Sequence, residues 1–338
     1  MAKSGKSKGS KSQDGSGKQS EASGAQYDGG VVVTGTIDGK IRDVEVGLIT
    51  GDVTQTNSSA QSANNTSVGG GGGSQTNGQF VLQTNTVVAE GDADLDITIQ
   101  GKFKGEIRDV EVGLITGDVT QSNTAWQAAG NLSVGGGGAG AQANTQIVEQ
   151  INHVSAIGSV EVDMVFSGSF QGKVRDLEVG LITADVTQAN HAVQGAANIA
   201  IGGSGGTQTI VQGAGQANVL AVVGDVDITL VFEGDFKGQV RDITIGVVTG
   251  DVNQTNTAVQ VGMNVSAGRH SGSQSIEQFI TQTNVVDANG DVDVVIRFDP
   301  AYKGDYRDIG ISLMIDNVLQ SNTAFQSASN VALDAVWH

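Results

Sequence analysis

The segment IRDVEVGLITGDVTQTN, from Ile41 to Asn57, returns four times with small changes. Its copies are IRDVEVGLITGDVTQSN at Ile107, VRDLEVGLITADVTQAN at Val174, VRDITIGVVTGDVNQTN at Val240 and YRDIGISLMIDNVLQSN at Tyr306. The Arg-Asp pairs are Arg42-Asp43, Arg108-Asp109, Arg175-Asp176, Arg241-Asp242 and Arg307-Asp308, and they lie 66, 67, 66 and 66 residues apart. A fixed period of this length is the mark of stacked repeat units, and it constrains the fold more than any local signal. The 338 residues hold roughly four and a half units.

Counting from the Arg as zero, positions 2, 4 and 6 are apolar in every copy, from Val44, Val46 and Leu48 to Ile309, Ile311 and Leu313. That alternation predicts a strand. Position 7 is also apolar, and so is position 11 (Val53, Val119, Val186, Val252, Val318), so the apolar face changes parity. Gly-Asp at positions 9 and 10 in three copies predicts the bend or bulge that swaps the faces.

The odd positions then become amides. Position 13 is Gln55, Gln121, Gln188, Gln254 and Gln320; position 15 is Asn57, Asn123, Asn190, Asn256 and Asn322. Position 19 is Gln61, Gln127, Gln194, Gln260 and Gln326; position 23 is Asn65, Asn131, Asn198, Asn264 and Asn330. Positions 17 and 21 hold only Ala, Ser or Gly. These amides share the parity of the invariant Val at position 11, so a continuing strand points them inward. The four-residue spacing of Asn57, Gln61 and Asn65 also suits one helix face, but the Gln-x-Asn spacing of two does not. The segment's Thr, Ser, Val and Asn are mediocre helix formers, and strand is the better fit.

A buried amide is costly unless bonded. Stacking identical strands solves this, because each side-chain amide then bonds its own counterpart above and below. A rung contributes about 0.5–1.5 kcal/mol net, and a mismatch that strands a buried group costs about 1–3 kcal/mol. The Arg-Asp pairs fit either a similar charge stack or a solvated turn, and both readings stay open.

Each unit repeats the theme more loosely in its second half, at Gln83 and Asn85, Gln150 and Asn152, Gln216 and Asn218, and Gln282 and Asn284. An alternating acidic strand follows, as in GDVDITLVFEGDFKG from Gly224 to Gly238. Glycine-rich links, Gly69 to Gly73, Gly135 to Gly138 and Gly202 to Gly206, join the halves. Each unit is therefore expected to form two solenoid coils, about nine half-coils in all.

Composition narrows the function. Gly numbers 50, Pro one, Cys none, and aromatics are 4%. The core must be thin layers of Val, Ile, Leu and Ala, with no disulfide and no thiolate metal site. Net charge is −18, yet five lysines (Lys3, Lys6, Lys8, Lys11, Lys18) fall early against Asp14 and Glu21, so the body is more acidic still. Such a body repels nucleic acid and anionic membranes. No apolar run of membrane-spanning length exists. Residues 1–30 read as a disordered Lys/Ser/Gly arm without the apolar stretch of a Sec signal, and residues 31–338 as one solenoid.

The core VGLITGDVTQTN, followed by Ala-x-Gln, resembles the repeats of bacterial functional amyloids. The pattern is similar to the Fap-type fibre repeat, with Gly113 to Gln127 as an example, and shares the Gln/Asn-x-Ala-x-Gln style of curli subunits. The resemblance implies a β-stacked fibre subunit of biofilm matrix or cell surface, with the Gln and Asn positions above as its ladders. It implies an extracellular or cell-surface location; because residues 1–30 show no apolar stretch of the Sec type, the expected route is one other than a Sec signal.

Catalysis finds no support in the pattern. His153, His191, His270 and His338 share no repeat position. Asp92, Asp94 and Asp96 resemble a calcium half-loop, but their counterparts Glu161 and Asp163, Asp225 and Asp227, and Asp291 and Asp293 lack the rest of such a site. An acidic outer face that blocks edge pairing fits better. The expectation is a non-enzyme without cofactor or metal; calcium would bridge acidic faces only adventitiously. The expected fold is all-β, a β-solenoid with Gln/Asn ladders. The expected partner is a second copy added head to tail, with no nucleic acid and no membrane span, each partial end unit completing its neighbour. The alternative is a non-polymerising adhesin or glycan-binding module, against which the irregular Trp126, His191 and Phe325 on the outer face argue.

Overall fold

The computed structural model describes residues 25–49, 51–68, 74–115, 117–135, 140–182, 184–202, 206–248, 250–269, 272–298, 305–312 and 317–334. Regular structure among them is entirely strand. In chain order the strands are β1 (Ala25–Ile49), β2 (Val53–Val68), β3 (Gln75–Ile115), β4 (Val119–Val134) and β5 (Gln142–Ile157). Then come β6 (Val160–Val174), β7 (Leu177–Ile182), β8 (Val186–Ile201), β9 (Gln208–Val223) and β10 (Val226–Val248). The last are β11 (Val252–Gly268), β12 (Gln274–Asn289), β13 (Val292–Phe298), β14 (Asp305–Ser312) and β15 (Val318–Asp334). The fold is the expected all-β stacked repeat. The predicted arm lies outside the described residues except at its end, where β1 begins at Ala25, inside the expected 1–30 boundary.

All pairing is parallel and follows the sequence period. Gln55 stands on Gln121, Gln83 on Gln150, and Ile97 on Met164. One sheet has five strands in the order β15-β11-β8-β4-β2. The other runs β12-β9-β5-β3-β6-β10-β13, with β1 on β3, β14 on β10, and β7 on β10 and β3. β3 joins two walls of this larger sheet: Gln75 to Glu90 pairs with β5, and the remainder pairs with β1, β6 and β7.

The expectation of two coils per unit is therefore corrected. Each 66-residue unit is one coil, and its halves face each other instead of stacking. The reason lies in where the amides point: Asn57 on β2 and Asn85 on β3 meet across the interior at 2.9 Å.

Each coil encloses two compartments. Between the five-stranded sheet and the wall of β3, β5, β9 and β12 lies a layer of buried Gln and Asn. Beyond it, β6, β7, β10 and their stacked neighbours surround an apolar core that includes Leu95, Ile97, Phe103, Val112, Leu114, Met164 and Leu230. Phe rings in register stack along the axis, Phe103 on Phe170 at 4.9 Å and Phe166 on Phe232 at 4.8 Å between centroids.

Among the described residues, three devices turn the chain. At the Arg-Asp pairs, Asp43, Asp109, Asp176, Asp242 and Asp308 all take φ between 53 and 56°. This left-handed residue shifts the parity, so Ile107 and Val110 are both buried. The second device is at Gly-Asp, where the expected bulge is a full break between sheets; Leu114 and Ile115 both turn inward there, and Val119 restarts the inward face. Third, Gly158 (φ 147°) and Gly224 (φ 148°) separate the amide wall from the apolar wall. A side chain on either would strike the carbonyl oxygen of the glycine one coil earlier, Gly91 and Gly158 respectively.

Candidate assembly site: the amide ladders and their open ends

Every sequence-predicted ladder residue stands in register with its counterparts. At position 13, Gln121 donates to Gln55 (3.0 Å), Gln188 to Gln121 (3.0 Å), Gln254 to Gln188 (2.9 Å) and Gln320 to Gln254 (2.9 Å). At position 19, Gln127 donates to Gln61, Gln194 to Gln127, Gln260 to Gln194 and Gln326 to Gln260. The Gln columns thus donate toward the N-terminal coil.

The Asn columns run the other way. Asn57 donates to Asn123, Asn123 to Asn190, Asn190 to Asn256 and Asn256 to Asn322. Asn65, Asn131, Asn198, Asn264 and Asn330 form the same series at position 23.

From Gln55 and Gln61 through Gln254 and Gln260, each Gln also sends a hydrogen across the compartment to a backbone carbonyl. Gln188 donates to the Val219 carbonyl at 3.0 Å, and Gln254 to that of Val285 at 2.9 Å. Both N–H groups of the amide are then satisfied, which is what lets Gln188 sit 0% exposed.

The facing wall carries its own columns, of which the sequence reading found only those of Gln83 and Asn85. It missed Gln75, Gln142, Gln208 and Gln274, the parallel column Gln79, Gln146, Gln212 and Gln278, and the pair Asn77 and Asn144. These residues keep the same period and parity, the signal that identifies them. The two walls interleave in height. Asn77 Nδ2 lies 3.3 Å from the Ala63 carbonyl oxygen and 3.1 Å from that of Gly130, one coil on. An unbroken zigzag of amide bonds follows: Asn57 to Asn85, Asn123, Asn152, Asn190, Asn218, Asn256, Asn284 and Asn322. No bond in it exceeds 3.1 Å.

One column departs from strict identity. Asn77 and Asn144 are followed by Ile210 and Ile276. Asn144 ends this ladder without an orphan, because its Nδ2 donates across to the Ala197 carbonyl (3.1 Å) and to Asn198 (2.9 Å). The small residues at positions 17 and 21 make room for the facing side chains. Ala125 and Ala192 pack with Val81 and Val148, and Gly262 lies against Ile276.

The Arg-Asp pairs are half-exposed bulges. Arg42 stands in register with Arg108, and Arg241 with Arg307, so like charge stacks on like. Compensation comes within each pair, with Arg to Asp distances of 3.6, 3.4, 3.3, 3.3 and 3.6 Å along the stack. Glu106 gathers additional cations, Arg175 at 2.6 Å and Lys40 at 3.3 Å, and the Arg175 hydrogen bond lowers its pKa.

The ends differ from the middle. β15 meets the facing wall on one side only, where Gln282 of β12 donates to the Thr323 carbonyl and Asn284 to Asn322. No amide strand lies beyond it among the described residues, and Gln320, Asn322, Gln326 and Asn330 are exposed, whereas Gln254, Asn256, Gln260 and Asn264 one coil earlier are buried. At the other end, β2 carries Gln55, Asn57, Gln61 and Asn65 half-buried.

Among the described residues no group of three or more His, Asp or Glu is placed to hold a metal, and no helix is long and apolar enough to cross a membrane. His270, His338, residues 335–338 of the tail, and the greater part of the glycine links lie outside the described residues. No protein-family model, curated protein or solved structure matches the chain.

Proposed function

We propose that this chain is a structural subunit that adds end to end into a filament, of the functional-amyloid type, in an extracellular or cell-surface matrix. The observation that carries the reading is the polarity of the open rungs. At the β15 end, Asn322 has Nδ2 hydrogens and Gln320 has an Oε1 acceptor with no further rung among the described residues. At the β2 end, Asn57 has an Oδ1 that receives no bond among the described residues, and Gln55 has one hydrogen left after bonding the Thr86 carbonyl. Donor meets acceptor in both columns when the β2 end of one copy lies on the β15 end of another. β1 of the incoming copy then continues the ladder of β13 and β14. Such joining is heterologous and open-ended, so it gives filaments and not closed rings. The facing wall skips one level at each joint, which makes the joint the weakest level of the filament. The reading assigns no catalysis and no cofactor.

Seeded growth tests it. Sonicated fragments should shorten the lag of fresh protein, with unbranched filaments in negative-stain images. Asn322→Asp, which removes the donor and adds a charge at the open rung, should stop elongation while leaving the fold intact. Monodisperse 34.4 kDa protein under all conditions would refute end-to-end growth.

A further inference from the structure

The outer face of the five-stranded sheet carries no charge. Its outward positions run from Thr54 to Val68 on β2, Thr120 to Val134 on β4, Thr187 to Ile201 on β8, Asn253 to Ala267 on β11, and Leu319 to Leu333 on β15. None of these alternate positions is Asp, Glu, Lys or Arg, in a chain of net charge −18. His191 is the one ionisable side chain among them. The face instead exposes large apolar groups: Trp126, Ile201, Val261, Met263, Leu319 and Phe325.

The other faces are acidic. Glu90, Glu149, Glu277 and Asp287 stand on the outside of the opposite amide wall. Asp94, Glu161, Asp227 and Asp293 form an in-register column along the apolar wall.

We infer that two copies of this chain pair laterally through the outer faces of their five-stranded sheets. Charge selects the occupant. Two bodies this acidic can approach closely only where neither presents carboxylates, and this face alone meets that condition among the described walls. Size is sufficient. Five strands about 4.8 Å apart and sixteen residues long, at about 3.3 Å per residue, give roughly 1,200 Å² on each copy. Stable complexes bury about 1,200–2,000 Å² in total. The face combines exposed apolar side chains such as Trp126 and Phe325 with neutral Thr, Ser and Asn, so covering it removes apolar surface from water without burying a carboxylate. Both copies also repeat at the same rung spacing, so the strands of the two faces lie in step. The contact is separate from end addition: it closes at two copies, whereas ends add without limit.

Sedimentation equilibrium of the full chain tests the inference, run on the wild type and in the Asn322→Asp background. The expected result is a mass that doubles and then stops in the blocked background, with pairing strengthened by sulfate. Thr257→Glu, outward on β11, should weaken pairing about tenfold or more. Thr283→Glu, outward on the opposite wall, should leave pairing unchanged, and both variants should keep the wild-type urea midpoint. A monomer mass at every concentration would overturn the inference. So would a doubling that Thr257→Glu leaves intact. Retention of a monomer on insoluble cellulose, abolished by Thr257→Glu, would also overturn it and assign the face to a glycan.

Discussion

Gln188 donates one amide hydrogen to Gln121, a full coil earlier in the chain, at 3.0 Å. Its other hydrogen goes to Val219 on the facing wall, and its oxygen accepts from Gln254. Gln188→Leu would leave the Gln121 oxygen and one Gln254 hydrogen without a partner in a dry interior, and would remove the cross-bond to Val219. The variant should unfold more easily by about 2 kcal/mol or more, read from its urea midpoint. The same change at Gln55, on a half-buried end rung, should cost under about 1 kcal/mol. Equal costs at the two sites would show that the interior ladder is not what stabilises the stack.

Asp176 holds φ at 53° beside the Arg175 guanidinium. Few side chains tolerate this backbone, and β-branched ones tolerate it least. Asp176→Val should destabilise by about 1–3 kcal/mol, while Asp176→Gly should lose under about 1 kcal/mol. The comparison separates backbone geometry from the ion pair, which both variants remove. A Gly variant as damaged as the Val variant would place the effect in the charge.

Gly158 leaves no room for a methyl group, since its Cβ would meet the Gly91 carbonyl oxygen. Gly158→Ala should cost about 2 kcal/mol or more. Gly195 faces outward with open space around it, and Gly195→Ala should be neutral or mildly stabilising. Thermal melts of the two variants check the contrast.

Acid should first strengthen the stack and then weaken it. Partial burial raises the pKa of Glu161 above its ordinary 4.5 and that of Asp227 above 3.8, and stacked carboxylates add to both. Burial raises Glu111 in the same way, with Glu178 and Glu45 contributing. A carboxyl raised in the folded state binds its proton more tightly there than in the unfolded chain. Ionising it therefore costs stability, which returns as pH falls through the raised value. Glu106 has the opposite sign: its pKa is lowered, chiefly by Arg175, and its contribution is lost only in stronger acid. The melting temperature should rise as pH falls from neutrality through the raised values of Glu161, Asp227 and Glu111, and decline in stronger acid as Glu106 is protonated. A monotonic fall on acidification would contradict the carboxylate columns.

Much of this architecture is legible in the residues. The 66-residue period fixes what stacks on what, and parity places Gln121 and Asn123 inside because Val119 is inside. The coil count is less legible. Gln55-Asn57 and Gln83-Asn85 look alike, and likeness in a repeat suggests stacking. Only three-dimensional geometry reveals that Asn57 and Asn85 face each other. The parity shift at Asp109 also escapes a local reading, since the apolar positions on either side form regular alternations when read separately. The facing columns of Gln75 and Gln79 were missed because Ile210 and Ile276 interrupt the neighbouring Asn column.

The opposed donation of the Gln and Asn columns has an electrical consequence. Each aligned amide adds a small dipole along the stack, and a column of one residue type would accumulate moment with every coil. Here Gln121 points one way and Asn123 the other, so in the five-stranded sheet the moments of the Gln and Asn columns offset each other at each level. That wall therefore meets little growing electrostatic penalty as it lengthens.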